Sequence, residues 1–334
     1  MHLLRLTEEP VVRVYNGYGH KGKLMLFGHV LKLSPLPRKR YRSNTLINML
    51  ALLRLFMVRP LANATVQLEW NGQTCLTHTE SDGFFRFEWN PVNPVTTGWH
   101  DAKVHLLAQS TQQQNILATG QGQVFIPHVH QYACISDIDD TFLISHSSNL
   151  RKRLLVLFTK NAHSRKPFEG VVKHYQLLAK AGATVDADNP FFYVSSSEWN
   201  LYYYIKDFSK KNELPDGIYL LSQIKRLKEV WKTGSNKHAT KFMRIARIIE
   251  SYPEQKFILL GDDSQEDPNI YSAIAEHFPG KIQCIYLRRV YKKKEEFVKK
   301  TIQKLEEGKI PCCYFAHSSE AVLHSKEIGL IATL

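Results

Sequence analysis

Cysteine is scarce in this chain. Cys75, Cys134, Cys284, Cys312 and Cys313 are odd in number, and none sits in a CxxC or a His/Cys spacing suited to zinc. Nothing there suggests a disulfide framework or a zinc module, and free thiols in a reducing compartment are expected. Long hydrophobic runs are missing too. No stretch of roughly 18 uncharged apolar residues occurs, so nothing reads as a bilayer-spanning helix. The opening MHLLRLTEEPVV meets Glu8, Glu9 and Pro10 before an apolar segment of signal-peptide length, which gives the expectation of a cytoplasmic protein. There is no internal repeat and no low-complexity tract. Negative charge is in deficit, with 31 Asp and Glu against 44 Lys and Arg and a formal charge of +13. That surplus favours an anionic partner, whether nucleic acid, an acidic membrane surface or a phosphorylated substrate, without choosing among them.

What is present suffices for two cores. The chain has 334 residues, 43% hydrophobic and 11% aromatic, a length that suggests two domains rather than one. VVRVYNGYG and KLMLFGHVLKL (11–33) are β-like around a Gly-rich turn. A basic and apolar insertion follows over 35–60, first PLPRKRYR and then LINMLALLRLFMV (46–58), apolar nearly all round. From Ala62 the strand pattern returns. VQLEW leads to Asn71-Gly72, a hairpin signal, and FFRFEW alternates Phe85, Phe87 and Trp89 onto one face after Ser81-Asp82-Gly83. With AKVHLLAQ and QVFIP, these segments predict a small antiparallel β-sandwich over 1–130.

Over 131–334 the rhythm becomes α/β. YACIS (132–136), FFYVS (191–195), IYLLS (218–222), FILLG (257–261) and QCIYL (283–287) read as buried parallel strands. Helix-period stretches lie between them: VVKHYQLLAKAGA, WNLYYYIKDFSKK, TKFMRIARIIESY and NIYSAIAEHF. This alternation predicts an α/β doubly wound parallel sheet with its site at the strand C-termini.

Three of these ends, and the start of one helix-period stretch, carry polar chemistry. The first strand runs into Asp137-Ile138-Asp139-Asp140-Thr141. Carboxylates so close repel one another unless a positive group joins them, which points to a divalent cation; a spacing of two lets Asp137 and Asp139 face one crevice. The plainer reading is a solvated acidic turn or a helix N-cap. FFYVS ends in Ser195, whose hydroxyl could hold a phosphoryl oxygen or simply cap a helix, with Ser196 and Ser197 as alternatives. Lys241, which opens KFMRIARII, could neutralise a phosphorylated aspartate. Lys237 competes for that role, and an ordinary surface lysine is the plain account. The fourth strand ends in GDDSQED, giving Asp262, Asp263 and Asp267. Asp262 is the natural partner for Asp137, and an oxygen-only set suits a hard cation. Singly, each feature has an ordinary explanation. In this order, three of them at strand ends, they describe a phosphoryl-transfer site.

The order resembles the four motifs of the haloacid-dehalogenase superfamily. ISDIDDT, RKPFEGV, NPFFYVSSSEWNLY, LPDGIYLL and KFILLGDDSQEDPNIY are more narrowly similar to the actin-patch-associated phosphatidate phosphatase family, over about residues 130–334. The preceding YNGYG segment, basic linker and sandwich are similar to bacterial members. The resemblance implies a haloacid-dehalogenase-like fold and an Mg²⁺-dependent phosphatase acting on phosphatidate or a related lipid phosphate. It implies Asp137 as nucleophile, Asp139 as general acid/base, Ser195 and Lys241 on the phosphate, and Thr141 with them in the catalytic set. Asp137, the Asp139 carbonyl and Asp262 would hold Mg²⁺. Lys241 is favoured over Lys237 because the family's lysine opens a K-x-x-x-I-x-x-I helix. Two departures stand out. Glu198 occupies a position where proline is usual, and Asp263-Ser264 stand where Ser-Gly is expected, so Asp263 stays beside Asp262 as a candidate metal ligand.

Two stretches mix cations with aliphatics: 37–58, and LRKRLLVLFTKNAHSRK (150–166) directly after the Asp137 loop. They are read as contacts for an anionic membrane surface, which would make the protein peripheral, or else as internal helices with solvated basic flanks. Other features read as bland. His128 and His130 are strand-edge residues, KKKEEFVKK a solvated helix face, and Trp70 and Trp89 sandwich core. A phosphatase for a soluble phosphomonoester and a non-catalytic membrane-binding scaffold are the alternatives. Nucleic acid is disfavoured as a partner because no recognition motif accompanies the charge.

Overall fold

Alternation of apolar residues builds the first sheet. The computed structural model describes residues 6–7, 9–35, 53–108, 115–138, 169–182, 188–224 and 237–332. Strands β1 (Leu6–Thr7), β2 (Val11–Val14), β3 (Gly17–His20), β4 (Lys23–Pro35), β5 (Arg59–Pro60), β6 (Thr65–Trp70), β7 (Gln73–His78), β8 (Phe84–Trp89), β9 (Gly98–Leu107) and β10 (Ile116–Ile126) form a ten-stranded sheet. Its order is β1-β4-β3-β10-β9-β6-β7, with β2, β5 and β8 also on β4. Asn71 (φ 47°) and Gly72 (φ 77°) close the β6–β7 hairpin, and Trp70 pairs with Gln73. Positive φ at both positions is what a primed two-residue turn requires. Trp70 and Trp89 meet edge-on at 5.7 Å inside the sandwich, as expected of core residues.

β4 is buried almost throughout because both of its faces are covered. Leu24, Leu26 and Val30 point into the sandwich core, whereas Met25, Phe27 and Leu31 join a second core shared with the C-terminal half. A period of two thus serves two interiors at once. The sheet is mixed rather than wholly antiparallel. β3 and β10 run parallel, with Val124 opposite Gly17 and Phe125 opposite Tyr18, because β4 occupies only one edge of β3 and leaves the other for β10. His128 and His130 lie in the turn after β10, not on a strand.

The second sheet contains β11 (Ala133–Asp137), β12 (Phe191–Glu198), β13 (Gly217–Ser222), β14 (Phe257–Asp262), β15 (Ile282–Arg288) and β16 (Cys312–Phe315). All neighbours are parallel, in the order β13-β12-β11-β14-β15-β16. The sixth strand, β16, goes beyond the five read from sequence. Helices α1 (Val171–Ala179), α2 (Tyr202–Lys211), α3 (Lys237–Glu250), α4 (Asp267–His277), α5 (Glu295–Glu307) and α6 (Ser318–Glu327) complete this half. From β11 the chain steps one way to β12 and β13, then returns past it to β14 and continues outward. Right-handed crossovers therefore place α1 and α4 on opposite faces, the doubly wound arrangement whose crevice opens between β11 and β14.

The YNGYG segment seats one sheet on the other. Tyr15 stacks on Trp199, centroids 4.2 Å apart, and its hydroxyl lies 3.0 Å from His29 Nδ1. Asn16 donates from its side chain to the Gly217 carbonyl and from its backbone N–H to the Tyr202 hydroxyl. Of the apolar segment 46–58, residues 53–58 are described. They make a turn with Arg54 and Phe56 buried, and the Leu55 carbonyl accepts from Asn200 Nδ2 at 3.0 Å. This stretch is internal rather than a membrane contact. The basic stretch 37–52 and the segment 150–166 lie outside the described residues.

Two histidines tie stability to acidity. Burial, reinforced by Arg13, pushes His29 down to about 3. Burial, reinforced by Arg288 and His324, does the same to His174. The unfolded chain takes up these protons near pH ~6.5, and the folded one refuses them until near 3, so stability present above ~6.5 is lost as pH falls. Chemical denaturation should show the two histidines together removing about 4 kcal/mol between pH ~7 and pH ~5. His174→Gln should halve that histidine contribution. A fall unchanged by this substitution would contradict the assignment.

Candidate active site

The crevice is where the two directions of winding part. Asp137 ends β11, Asp262 ends β14, and Asp267 is the first residue of α4, just before Pro268. One carboxylate oxygen from each lies within 4.8 Å of the others, and all three side chains are buried. Asp267 reaches this place by folding back, so that its Oδ2 accepts the Asp262 N–H at 3.3 Å. Gly261 makes room for the return: a Cβ there would fall 2.5 Å from Asp267 Oδ2 and 2.8 Å from the Tyr271 ring.

Lys241 stands on α3 above the acids. Its Nζ is 3.0 Å from Asp137 Oδ1 and also donates a hydrogen bond to Asp267 Oδ1. Burial works against its charge, yet the Asp137 and Asp267 carboxylates outweigh it and hold the ammonium above its ordinary value. Asp262 is pushed up to about 7, chiefly by burial and then by the charge on Asp267, while the Ser264 amide donates to its Oδ1 at 2.6 Å. Three buried carboxylates share Lys241, so negative charge is in excess where water is excluded. An all-oxygen, anionic donor set of this kind fits a hard divalent cation.

Asp263 does not join the cluster. Adjacent strand residues face opposite ways, and Asp263 turns toward β15 and β16. Its Oδ1 accepts the N–H groups of Val290 (2.7 Å) and Tyr291 (2.9 Å), and its Oδ2 accepts the Tyr314 hydroxyl at 2.6 Å. It is a clamp across the strand ends. Asp267, noted in the sequence but not chosen as a ligand, occupies the third place. A signal was available, an acid directly before proline at a helix start, where the helix dipole welcomes negative charge.

Ser195 lies on β12 one residue beyond Val194, the register partner of Asp137. It is fully buried, and its Oγ accepts the Ser197 N–H at 2.9 Å, which shapes the turn beside the acids. Arg244, one helical turn from Lys241, fixes the same turn. It donates to the Ser195 carbonyl (2.9 Å) and to Ser222 Oγ (3.3 Å). Nothing in the sequence singled it out. Asp139 and Thr141 lie outside the described residues, and the Lys237 side chain does too.

Residues 132–289 match the family described as phosphatidate phosphatase APP1, catalytic domain. The phosphatidate phosphatase APP1 of Saccharomyces cerevisiae is 32% identical over 156 residues, covering 46% of this chain and 25% of its own length. An uncharacterized protein of Schizosaccharomyces pombe is 25% identical over 187 residues, covering 55% and 29%. The chain thus matches about a quarter of the length of these curated relatives. Among solved structures, a carbohydrate acetylesterase from Xanthomonas citri aligns over 97% of this chain and 76% of its own, with 8% identity and a TM-score of 0.32, too low to define a shared fold. The described acids of the crevice, Lys241 and Ser195 all fall inside the matched segment, and that segment is similar to the APP1 phosphatidate phosphatase catalytic domain.

Proposed function

We propose that this protein is a phosphatase that hydrolyses a lipid phosphomonoester, phosphatidate or a close relative, through a phosphorylated Asp137. The observation that carries the reading is Lys241 bonded to Asp137 and Asp267 beside Asp262, at the reversal point of a doubly wound sheet. The family match supports the lipid substrate. We assign residues 131–334 to a haloacid-dehalogenase-like catalytic domain and 1–130 to a separate β domain packed on it.

Asp137 Oδ attacks phosphorus, the ester oxygen leaves, and the resulting acyl phosphate is then opened by water. Splitting the reaction in two lowers each barrier for an ester whose uncatalysed hydrolysis is among the slowest reactions known. Lys241 holds Asp137 in place and meets the charge arriving on the phosphoryl oxygens. Ser195 and the amides of its turn orient those oxygens, with Arg244 bracing the turn from behind. Asp139 would protonate the leaving oxygen and later take the proton from water. Asp137, Asp262 and Asp267 would hold Mg²⁺, which when bound supplies charge neutralisation of phosphate and carboxylate.

The test is phosphate release from phosphatidate micelles with and without Mg²⁺, for the natural protein and Asp137→Asn. Mg²⁺-dependent release that the substitution abolishes is the expected result. Release from a soluble ester alone would keep the chemistry and discard the lipid. No release from either would remove the enzymatic reading.

A further inference from the structure

The sheet edge that carries the acids also carries an exposed basic and aromatic loop. β15 ends at Arg288, and Arg289-Val290-Tyr291 lead into a single turn, Lys292–Lys294, before α5. The loop is bolted to the site's own strand. Val290 and Tyr291 give their N–H groups to Asp263, the neighbour of Asp262, and Lys294 Nζ donates to the Gln265 carbonyl at 2.8 Å. Residues 289–300 hold six basic and two acidic side chains. Among the described residues, Arg289, Lys294, Lys299 and Lys300 have acidic partners within 4 Å, whereas Lys292 and Lys293 have none. Tyr291 precedes the lysines and Phe297 follows them, 39% and 48% exposed.

Aromatic rings and lysines together on a rigid, solvent-facing turn make an interfacial anchor. The rings suit the boundary between headgroup and acyl chain, and the ammonium groups suit anionic headgroups. A soluble substrate needs no such platform beside the crevice; a substrate embedded in a bilayer does. We propose that the loop Arg289–Lys294, with Phe297, docks this edge of the sheet onto an anionic lipid surface and so brings the crevice to substrate in the membrane. The proposal rests on the lipid-phosphate reading above. It is a surface additional to the stretches 37–52 and 150–166, which lie outside the described residues.

The experiment is sedimentation of the full chain with phosphatidylcholine vesicles, with and without phosphatidylserine. Phosphatidylserine carries no phosphomonoester, so binding to it does not depend on the catalytic crevice. The natural protein should bind only the anionic vesicles. The double substitution Lys292→Glu/Lys293→Glu should weaken that binding by about thirty-fold or more, and Tyr291→Ser/Phe297→Ser should weaken it on both counts of depth and residence. The charge-matched control Lys210→Glu/Lys211→Glu, at the far end of α2 on the opposite sheet edge, should bind nearly as the natural protein does. Turnover of p-nitrophenyl phosphate should be the same in all of them. Vesicle binding with no phosphatase activity toward any ester would leave the docking surface standing and bring down the catalytic reading instead. Absence of vesicle binding, equal losses in the two lysine pairs, or capture of single-stranded DNA with the same dependence on Lys292 and Lys293 would each overturn the proposal.

Discussion

Asp263→Ala should lower the unfolding free energy by about 4 kcal/mol, while Asp262→Asn, one residue away, should leave it unchanged or raise it. Asp263 accepts three hydrogen bonds, two from backbone N–H groups and one from Tyr314. Bonds to a charged acceptor contribute about 1.5–3 kcal/mol each, and truncation leaves buried donors without a partner. Asp263→Asn should recover part of the loss, since its remaining oxygen can still accept from Val290 and Tyr291. Asp262 has the opposite character. Burial and Asp267 already disfavour its charge, so removing that charge should relieve the folded protein and, on the proposed mechanism, lower turnover about a thousand-fold. Urea unfolding in the presence of a chelator, paired with phosphate release, separates the two. Equal destabilisation by both substitutions would contradict the division of roles.

Lys241→Met should have the second large effect. Removing one partner of a buried ionic cluster costs about 3–5 kcal/mol, because the remaining charges stay behind in a dry site. Here the remainder is Asp137, Asp262 and Asp267 with no ammonium against the first and third. The variant should be strongly destabilised in chelator and substantially restored by Mg²⁺, since a ligand that binds only the folded state stabilises it by mass action. Its gain in melting temperature on adding Mg²⁺ should exceed that of the natural protein, and its turnover should be absent. The same loss with and without Mg²⁺ would mean that these carboxylates do not hold a cation.

Much of this site was legible because its groups end apolar runs. Asp137, Ser195 and Asp262 each follow a buried apolar run, and Lys241 heads the amphipathic string KFMRIARII, one turn inside α3. Asp267 was harder, since its role depends on a chain reversal over Gly261 that periodicity does not encode. The choice between Asp262 and Asp263 was open to strand phase: one of two neighbours must face away. In the fold, β16 escaped notice because CCYF is short and lacks alternation. The parallel union of β3 with β10 is a choice of partner, which local pattern does not record.

That union has a consequence for how the chain is made. Gly17 finds its partner only when Val124 has been synthesised, more than a hundred residues later, whereas the β6–β7 hairpin closes across two. β3 therefore waits without its second partner while local hairpins form behind it, and contacts so distant in sequence are slow to close. Tyr15 and Asn16 wait longer still, for Trp199, Tyr202 and Gly217. Residues 15–18 are thus made long before their last partners, and during that interval their aromatic residues are the natural clients of a chaperone.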